Sequence, residues 1–278
     1  MRVSLVAAPT SAGPPRTRVA TVSTPPTSPV ALLRRLVAAD PGRPRVTVYD
    51  DTDSPTRGER IELSARVLAN WVAKAANLLR DDLDAGPGSV VLLDLPPHWR
   101  TLYWAVAAWS VGACVEVPAN RTTVDAGPGP ARAEAGNAVA DVVVTDAVDV
   151  AAAADEAVLV TLAALARSAG GPVPTGVVDE ARELATHGDV FDAWDEPDGS
   201  DPALRAAGEV VAYADLVAAP GPAGGPQRVH TDTTDTAAFL RLALSVWAAD
   251  GSLVVTRGEP DPAVLASRLV AEGVTGAG

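Results

Sequence analysis

Three observations predict an α/β fold of layered sheets with flanking helices. The stretch Gly58–Pro118 passes from helix to strand to helix to strand with clean punctuation at every junction. The runs Val90–Leu95 (VVLLDL) and Asp141–Thr145 (DVVVT) are continuously apolar, as strands buried on both faces of a parallel sheet are. Strand-like and helical patterns alternate to the end of the chain, about seven strands in all by their periodicity.

Met1–Pro29 is rich in Pro, Thr and Ser, has no apolar period and reads as a disordered leader ahead of a single domain over residues 30–278. Val30–Asp40 carries Leu32, Leu33, Leu36 and Val37 at helical spacing and is stopped by Pro41-Gly42. Arg45–Tyr49 alternates with period two, as a strand does. Asp50–Arg60 is polar and reads as a solvated hairpin turn. Asp51, Asp53 and Glu62 suggest a calcium loop only superficially, because Pro55 and Arg57 occupy ligand positions and no glycine stands at the sixth.

Arg60–Leu63 is a short strand, and Ser64 is placed to cap a helix ending near Arg80. Val67, Trp71, Ala75 and Leu78 form its expected apolar stripe, with Lys74 off that stripe as a solvated charge. Pro96-Pro97 ends the strand Val90–Leu95, and His98 starts a helix over Trp99–Val111 as a cap or a surface residue. Trp99, Leu102, Tyr103, Val106 and Ser110 are its predicted face. Gly112 closes the helix and Cys114–Val117 is the next strand, so the unit is a right-handed parallel crossover.

Residues 119–140 read as a Gly/Pro/Ala loop passing into a weak helix, and Ala157–Leu162 as a further strand. Gly170–Asp201 is loop-dominated, with an acidic run over His187–Asp201 that suits a partner contact through Phe191 and Trp194 better than any metal-ligand spacing. Glu209–Ala218 is a strand with a helical turn, and Gly221–Arg228 a plain turn. His230–Asp235 is either a hydroxyl-rich pocket edge or an N-capping run; its Thr/Asp density favours capping. The helix Thr236–Ala249 follows, with Phe239, Leu242, Ala243, Val246 and Trp247 apolar. Then come a strand Ser252–Thr256 and a helix opened by Asp261-Pro262.

Composition narrows the function classes. Apolar residues make up 47% of the chain, enough for a sizeable core, although aromatics are only 4%. A net charge of −13 opposes binding to nucleic acid or to an anionic membrane surface. The single cysteine, Cys114, excludes an intrachain disulfide and sits in an apolar run as an inert thiol. No stretch reaches the roughly 18 uncharged apolar residues of a membrane span, so a cytoplasmic location is expected. Lys74 is the only lysine, and any chemistry that needs a positioned lysine must use it.

Common site motifs are missing. Gly127-Pro128-Gly129-Pro130-Ala131-Arg132 fails as a dinucleotide loop at its third glycine, and its prolines remove backbone donors. There is no lysine-bearing phosphate loop and no nucleophile elbow. His98, His187 and His230 are far apart and pair with no ligand by spacing. No catalytic, cofactor-binding or metal-binding residue is assigned, and no cofactor.

Residues 58–118 resemble the start of the adenylate-forming superfamily of acyl-CoA synthetases, luciferases and peptide-synthetase adenylation domains. The resemblance lies in the helix LANWVAKAANLLR, the turn and strand GSVVLLDLPP and the segment AVAAWSVGACVEVP. DVVVTD (141–146) and Thr236–Thr275 look like later family elements, so the likeness covers somewhat more than half the chain. It implies the N-terminal domain of such enzymes without their C-terminal lid, as in short actinobacterial relatives. Family catalysis uses a Ser/Thr/Gly-rich loop ending in lysine to neutralise the triphosphate of ATP. Between Thr145 and Thr236 there is no such loop and no lysine. The resemblance thus implies a non-catalytic or residual ligand-binding homologue that acts as a scaffold or binds a protein partner or a small acyl or nucleotide ligand. The alternative is an AMP-forming acid–thiol ligase completed by a partner chain or using non-standard residues. A third class is a stand-alone small-molecule binding module. A lined cleft at the strand ends near Gly221–Thr236 would favour binding over scaffolding.

Overall fold

The computed structural model describes residues 28–119, 140–217 and 226–278. Residues 1–27 of the predicted leader, residues 120–139 of the Ala119–Ala140 loop with its Gly127–Arg132 run, and most of the Gly221–Arg228 turn lie outside them. Ser28 and Pro29, at the predicted leader's end, belong to the first helix as its cap and first residue.

The chain opens with α1 (Pro29–Ala39), β1 (Pro44–Asp51), β2 (Arg60–Ser64) and α2 (Ala65–Asp81). Both helices begin on serine caps: Ser28 accepts from the Ala31 amide at 3.2 Å and Ser64 from the Val67 amide at 3.3 Å. The parallel unit β3 (Val90–Asp94), α3 (Trp99–Ser110) and β4 (Cys114–Val117) follows as predicted. Gly112 turns the chain out of α3 at φ +84°, where a β-carbon would also meet Pro87 Cγ at 2.9 Å.

Next come β5 (Val142–Thr145), α4 (Val148–Ala153), β6 (Ala157–Leu159), β7 (Val177–Asp179) and α5 (Glu180–Glu183). The chain continues through β8 (Pro202–Ala206), β9 (Glu209–Ala212) and α6 (Tyr213–Leu216). It closes with β10 (Arg228–Thr231), α7 (Thr236–Ala248), β11 (Ser252–Gly258), α8 (Pro262–Ala271) and β12 (Gly276–Ala277). α7 and α8 start on aspartate caps, Asp235 accepting from Ala238 N and Asp261 from Ala263 N.

These strands make two sheets. One has the order β12-β10-β11-β1-β2, the other β7-β6-β5-β3-β4-β8-β9. Every pairing is parallel except β1 with β2 and β8 with β9, which put one antiparallel strand on an edge of each sheet. The layered α/β architecture is the predicted one. β7, β8 and β10 go beyond the prediction. Each is three to five residues long, and PALRA and RVHT carry no apolar period of their own. They become strands because a neighbour offers a ladder, Val115 beside Leu204 and Leu253 beside Val229.

The helices correct two further expectations. All twelve residues of α3 are buried, where one face was expected. The reason is position: α3 packs on α1, α2, α7 and on strands of both sheets, so it has no outward side. The buried face of α2 runs through Leu68, Val72, Ala75, Ala76 and Leu79, while Val67 is 40% exposed. Of the predicted stripe Ala75 and Leu78 are fully buried and Trp71 packs on the core; the face widens beyond it because α1, α3 and β2 contact α2 from several directions.

Arginines lock the ends of these elements. Arg35 donates to the α7 carbonyls of Trp247 and Ala248 at 3.1 and 2.7 Å. Arg45, fully buried, donates to the Asp250 and Gly251 carbonyls and pairs with the Asp250 carboxylate at 2.8 Å. Glu272, just past α8, receives Tyr49 Oη at 2.5 Å and Arg60 at 2.8 Å, and pairs with Arg228. This joins β1, β2 and β10 to the end of α8.

Two outcomes are expected. Trp104→Ala removes a fully buried indole at the centre of α3 and should cost about 3–5 kcal/mol in urea unfolding. Burial pushes the Glu272 carboxyl up, but the bonds from Tyr49, Arg228 and Arg60 outweigh it and hold the group down, from an ordinary 4.5 to about 2. Because the folded value is depressed, the stabilisation is complete above about pH 4.5 and is lost as pH falls toward 2. The stability difference between wild type and Glu272→Gln should therefore shrink from up to about 3 kcal/mol near neutrality as the solution is acidified.

Candidate functional site

Strands β1, β3, β4, β8, β10 and β11, drawn from both sheets, end on one cavity of about 870 Å3. Thr52 follows β1, Pro96 and Pro97 follow β3, Pro118 and Ala119 follow β4, and Ala206 and Ala207 close β8. Asp232, Thr233 and Thr234 follow β10, while Thr256 to Glu259 end β11. The first turn of α7 supplies Thr236 and Ala237, with Arg241 one turn on. The carboxyl ends of parallel strands are where α/β sheets gather ligands, since the loops there diverge and leave backbone and side chains facing a crevice.

Local bonding holds this wall in shape. Thr236 donates to the Leu95 carbonyl at 2.8 Å, tying the start of α7 to the end of β3. His230 Nε2 lies 3.1 Å from Thr256 Oγ1 across β10 and β11. Gly258 sits at φ +80°, and a β-carbon there would lie 2.6 Å from the backbone of Asp51 and Thr52. Only glycine permits that approach, which brings the loop after β1 against the end of β11.

The two arginines of the described wall are already paired. Arg257 pairs with the buried carboxylate of Asp50. Asp50 also receives the Thr52 amide at 2.9 Å and the Thr52 and Thr56 hydroxyls at 2.5 Å each. Burial pushes the Asp50 carboxyl up, but the hydroxyl and amide donors, with Arg257, outweigh it and hold it below the ordinary carboxylate range. Arg241 pairs with Glu209 at 2.6 Å. Asp232 and Glu259 add further carboxylates to the wall. The described wall therefore offers hydroxyls and an excess of negative charge.

The sequence-selected residues fall as follows. In His230–Asp235 both readings hold: Asp235 caps α7 and the run from Asp232 lines the cavity. His98 caps α3, its Nδ1 accepting from the Arg100 amide at 3.3 Å, and at 2% exposure it is no surface residue. Its burial, with Arg257 and Arg100 nearby, pushes the imidazole well below its ordinary range, so it accepts as the neutral ring. Cys114 is buried, and burial pushes its thiol up to about 11, away from reactivity. Lys74 is not a solvated charge: it donates to the Ala185 and His187 carbonyls at 3.3 and 2.5 Å and pairs with Asp189 at 2.7 Å. The carboxylates of the superficial calcium pattern each meet an arginine, Asp51 with Arg268, Asp53 with Arg57 and Glu62 with Arg60. Asp50, Thr52 and Thr56 lie in the stretch that the sequence reads as a solvated hairpin turn, and no sequence pattern joins them to Arg257. The alternation of hydroxyls in DTDSPT was the one available signal.

Comparison with solved structures defines the class. Brucella canis acyl-CoA synthetase superposes with a TM-score of 0.68 at 18% identity, covering 92% of this chain and 48% of that one. The N-terminal subdomain of Klebsiella oxytoca NpsA, in complex with anthranilyl-AMSN, gives 0.61 at 17% identity over 90% of this chain and 58% of that one. The fold is that of the N-terminal domain of adenylate-forming enzymes, and the chain spans about half the length of the acyl-CoA synthetase. No protein-family model matches it. It is 36% identical over 265 residues to a TIGR03089 family protein of Mycobacterium tuberculosis, covering 91% of this chain and 99% of that one. The chain belongs to the TIGR03089 family.

Asp50→Asn should cost about 1.5–3 kcal/mol in chemical unfolding, because it replaces the charged acceptor of the Arg257, Thr52 and Thr56 bonds with a neutral amide. Asp53→Asn, whose partner Arg57 is exposed, should change stability by less than about 1 kcal/mol.

Proposed function

We propose that this protein is a non-catalytic, ligand-binding member of the adenylate-forming fold. The observation that carries this reading is the cavity. It lies where such sheets bind ligands, yet both arginines in its described wall are paired with carboxylates. Adenylation needs cationic groups that neutralise a triphosphate as charge moves along it. The only lysine of the chain is held in α2 by the carbonyls of Ala185 and His187 and by Asp189. The interior of the sequence, from Thr145 to Thr236, contains no Ser/Thr/Gly-rich loop ending in lysine. The hydroxyls of Thr52, Thr233, Thr234 and Thr256 and the apolar strand ends support capture of a small acyl or nucleoside-like molecule without turnover.

The test combines calorimetry and thermal shift with AMP, ATP and acyl-CoA, alongside ATP–pyrophosphate exchange with a panel of carboxylic acids. At least one of these compounds should raise the melting temperature, and a ligand at 100 times its Kd adds about 2.7 kcal/mol. Thr234→Trp, which fills the cavity from an exposed wall position, should abolish that rise. Exchange above blank by the purified chain would overturn the proposal.

A second reading, a ligase completed by a partner chain, is favoured by the chain spanning 48% of the acyl-CoA synthetase. It predicts pyrophosphate release from a co-purified complex and none from the chain alone.

A further inference from the structure

Residues 187–197 contain neither helix nor strand, yet one edge of α2 bonds their backbone at His187, Gly188, Val190 and Asp192. Lys74 donates to the His187 carbonyl at 2.5 Å and pairs with Asp189 at 2.7 Å. Asn77 Nδ2 donates to the carbonyls of Gly188 and Val190, both at 3.0 Å. Arg80 donates to the Asp192 carbonyl at 2.8 Å and lies 4.8 and 4.7 Å from the Phe191 and Trp194 ring centroids. Positions 74, 77 and 80 follow one another at a spacing of three, so a single helix edge carries all these bonds.

This clamp turns backbone polar groups inward and leaves large apolar side chains outward. Val190 is 77% exposed and Trp194 is 75% exposed. Covering them with a partner would remove apolar surface from water, which favours association. A loop pinned in this way loses little further conformational freedom on binding, which favours recognition. The exposed carboxylates of Asp189, Asp192, Asp195 and Glu196 frame the two side chains. The nearby cations are engaged, Lys74 with Asp189 and Arg80 with Asp81. On a chain of net charge −13 the patch carries a negative field, which repels phosphate backbones and anionic headgroups and attracts a cationic polypeptide.

We infer that residues 187–197, held on α2, form a docking surface for a basic polypeptide segment that carries a large apolar side chain. The apolar group packs on Trp194 and Val190, and the Lys or Arg residues beside it meet Asp192, Asp195 and Glu196. This surface does not depend on the cavity or on what the cavity binds.

The test is selection of a phage-displayed random peptide library on the full chain, followed by fluorescence anisotropy with a synthesised winner. Enriched peptides should be rich in Lys or Arg around an aromatic or leucine residue. Trp194→Ala should weaken the winner about tenfold or more, as loss of a central aromatic anchor does. Val190→Ser leaves the Arg80 stacking in place and should also weaken it, with an unchanged melting temperature. Asp192→Asn with Asp195→Asn should flatten the salt dependence of binding. Failure to enrich, winners without basic excess, or undiminished binding to both Trp194→Ala and Val190→Ser would each overturn the inference.

Discussion

Burial of α3 on every side is the constraint from which the rest of this structure follows. A helix between two sheets cannot send its polar groups to water, so each end must be satisfied by the protein. His98 caps the first turn, and Thr101 donates to the Pro96 carbonyl at 2.5 Å. Arg100 reaches Glu180 at 2.7 Å and the Ala163 carbonyl at 2.9 Å, and Tyr103 donates to the same Glu180. At the far end Trp109 donates to the Ala203 carbonyl at 2.7 Å. Those bonds reach α5, the segment after β6 and strand β8, so one central helix recruits otherwise featureless parts of the chain. A buried Arg–Glu pair is weak evidence for net stability, because desolvation opposes the Coulomb gain. Its effect here is to specify which segment lies against α3.

The same geometry produces the cavity. Strands of two sheets, both parallel apart from their antiparallel edge strands, bring carboxyl ends to its wall. The start of α7, capped by Asp235, completes that wall. A helix N-terminus and two nearby arginines would ordinarily make an anion site. Here Asp50, Glu209, Asp232 and Glu259 reverse that balance. Within the described wall the two arginines are paired and the carboxylates outnumber them.

Lys74 shows how neighbours decide the role of a charged side chain. A lone lysine in a mechanism-poor sequence invites a catalytic reading, or the plain reading of a surface charge. Its neighbours assign it to neither: it bonds two carbonyls that no secondary structure satisfies. Buried or half-buried carbonyls need donors, and a helix edge carrying Lys74, Asn77 and Arg80 supplies them in register with an irregular loop.

Much of this was legible in the chain alone. Continuous apolar runs such as VVLLDL, serine and aspartate caps at Ser64, Asp235 and Asp261, and glycine at 112 state local backbone preferences that neighbours have little reason to override. They specify the α/β class and the order of the principal elements. What only the tertiary structure decided is where burial is complete and which short segments pair. PALRA and RVHT become strands because β4 and β11 present open ladders, and all of α3 is buried because sheets lie on both sides of it. The cavity belongs to that second group. Its walls come from positions as distant as Thr52 and Glu259, which share no sequence pattern, and the close approach allowed by Gly258 exists only once β1 and β11 lie side by side.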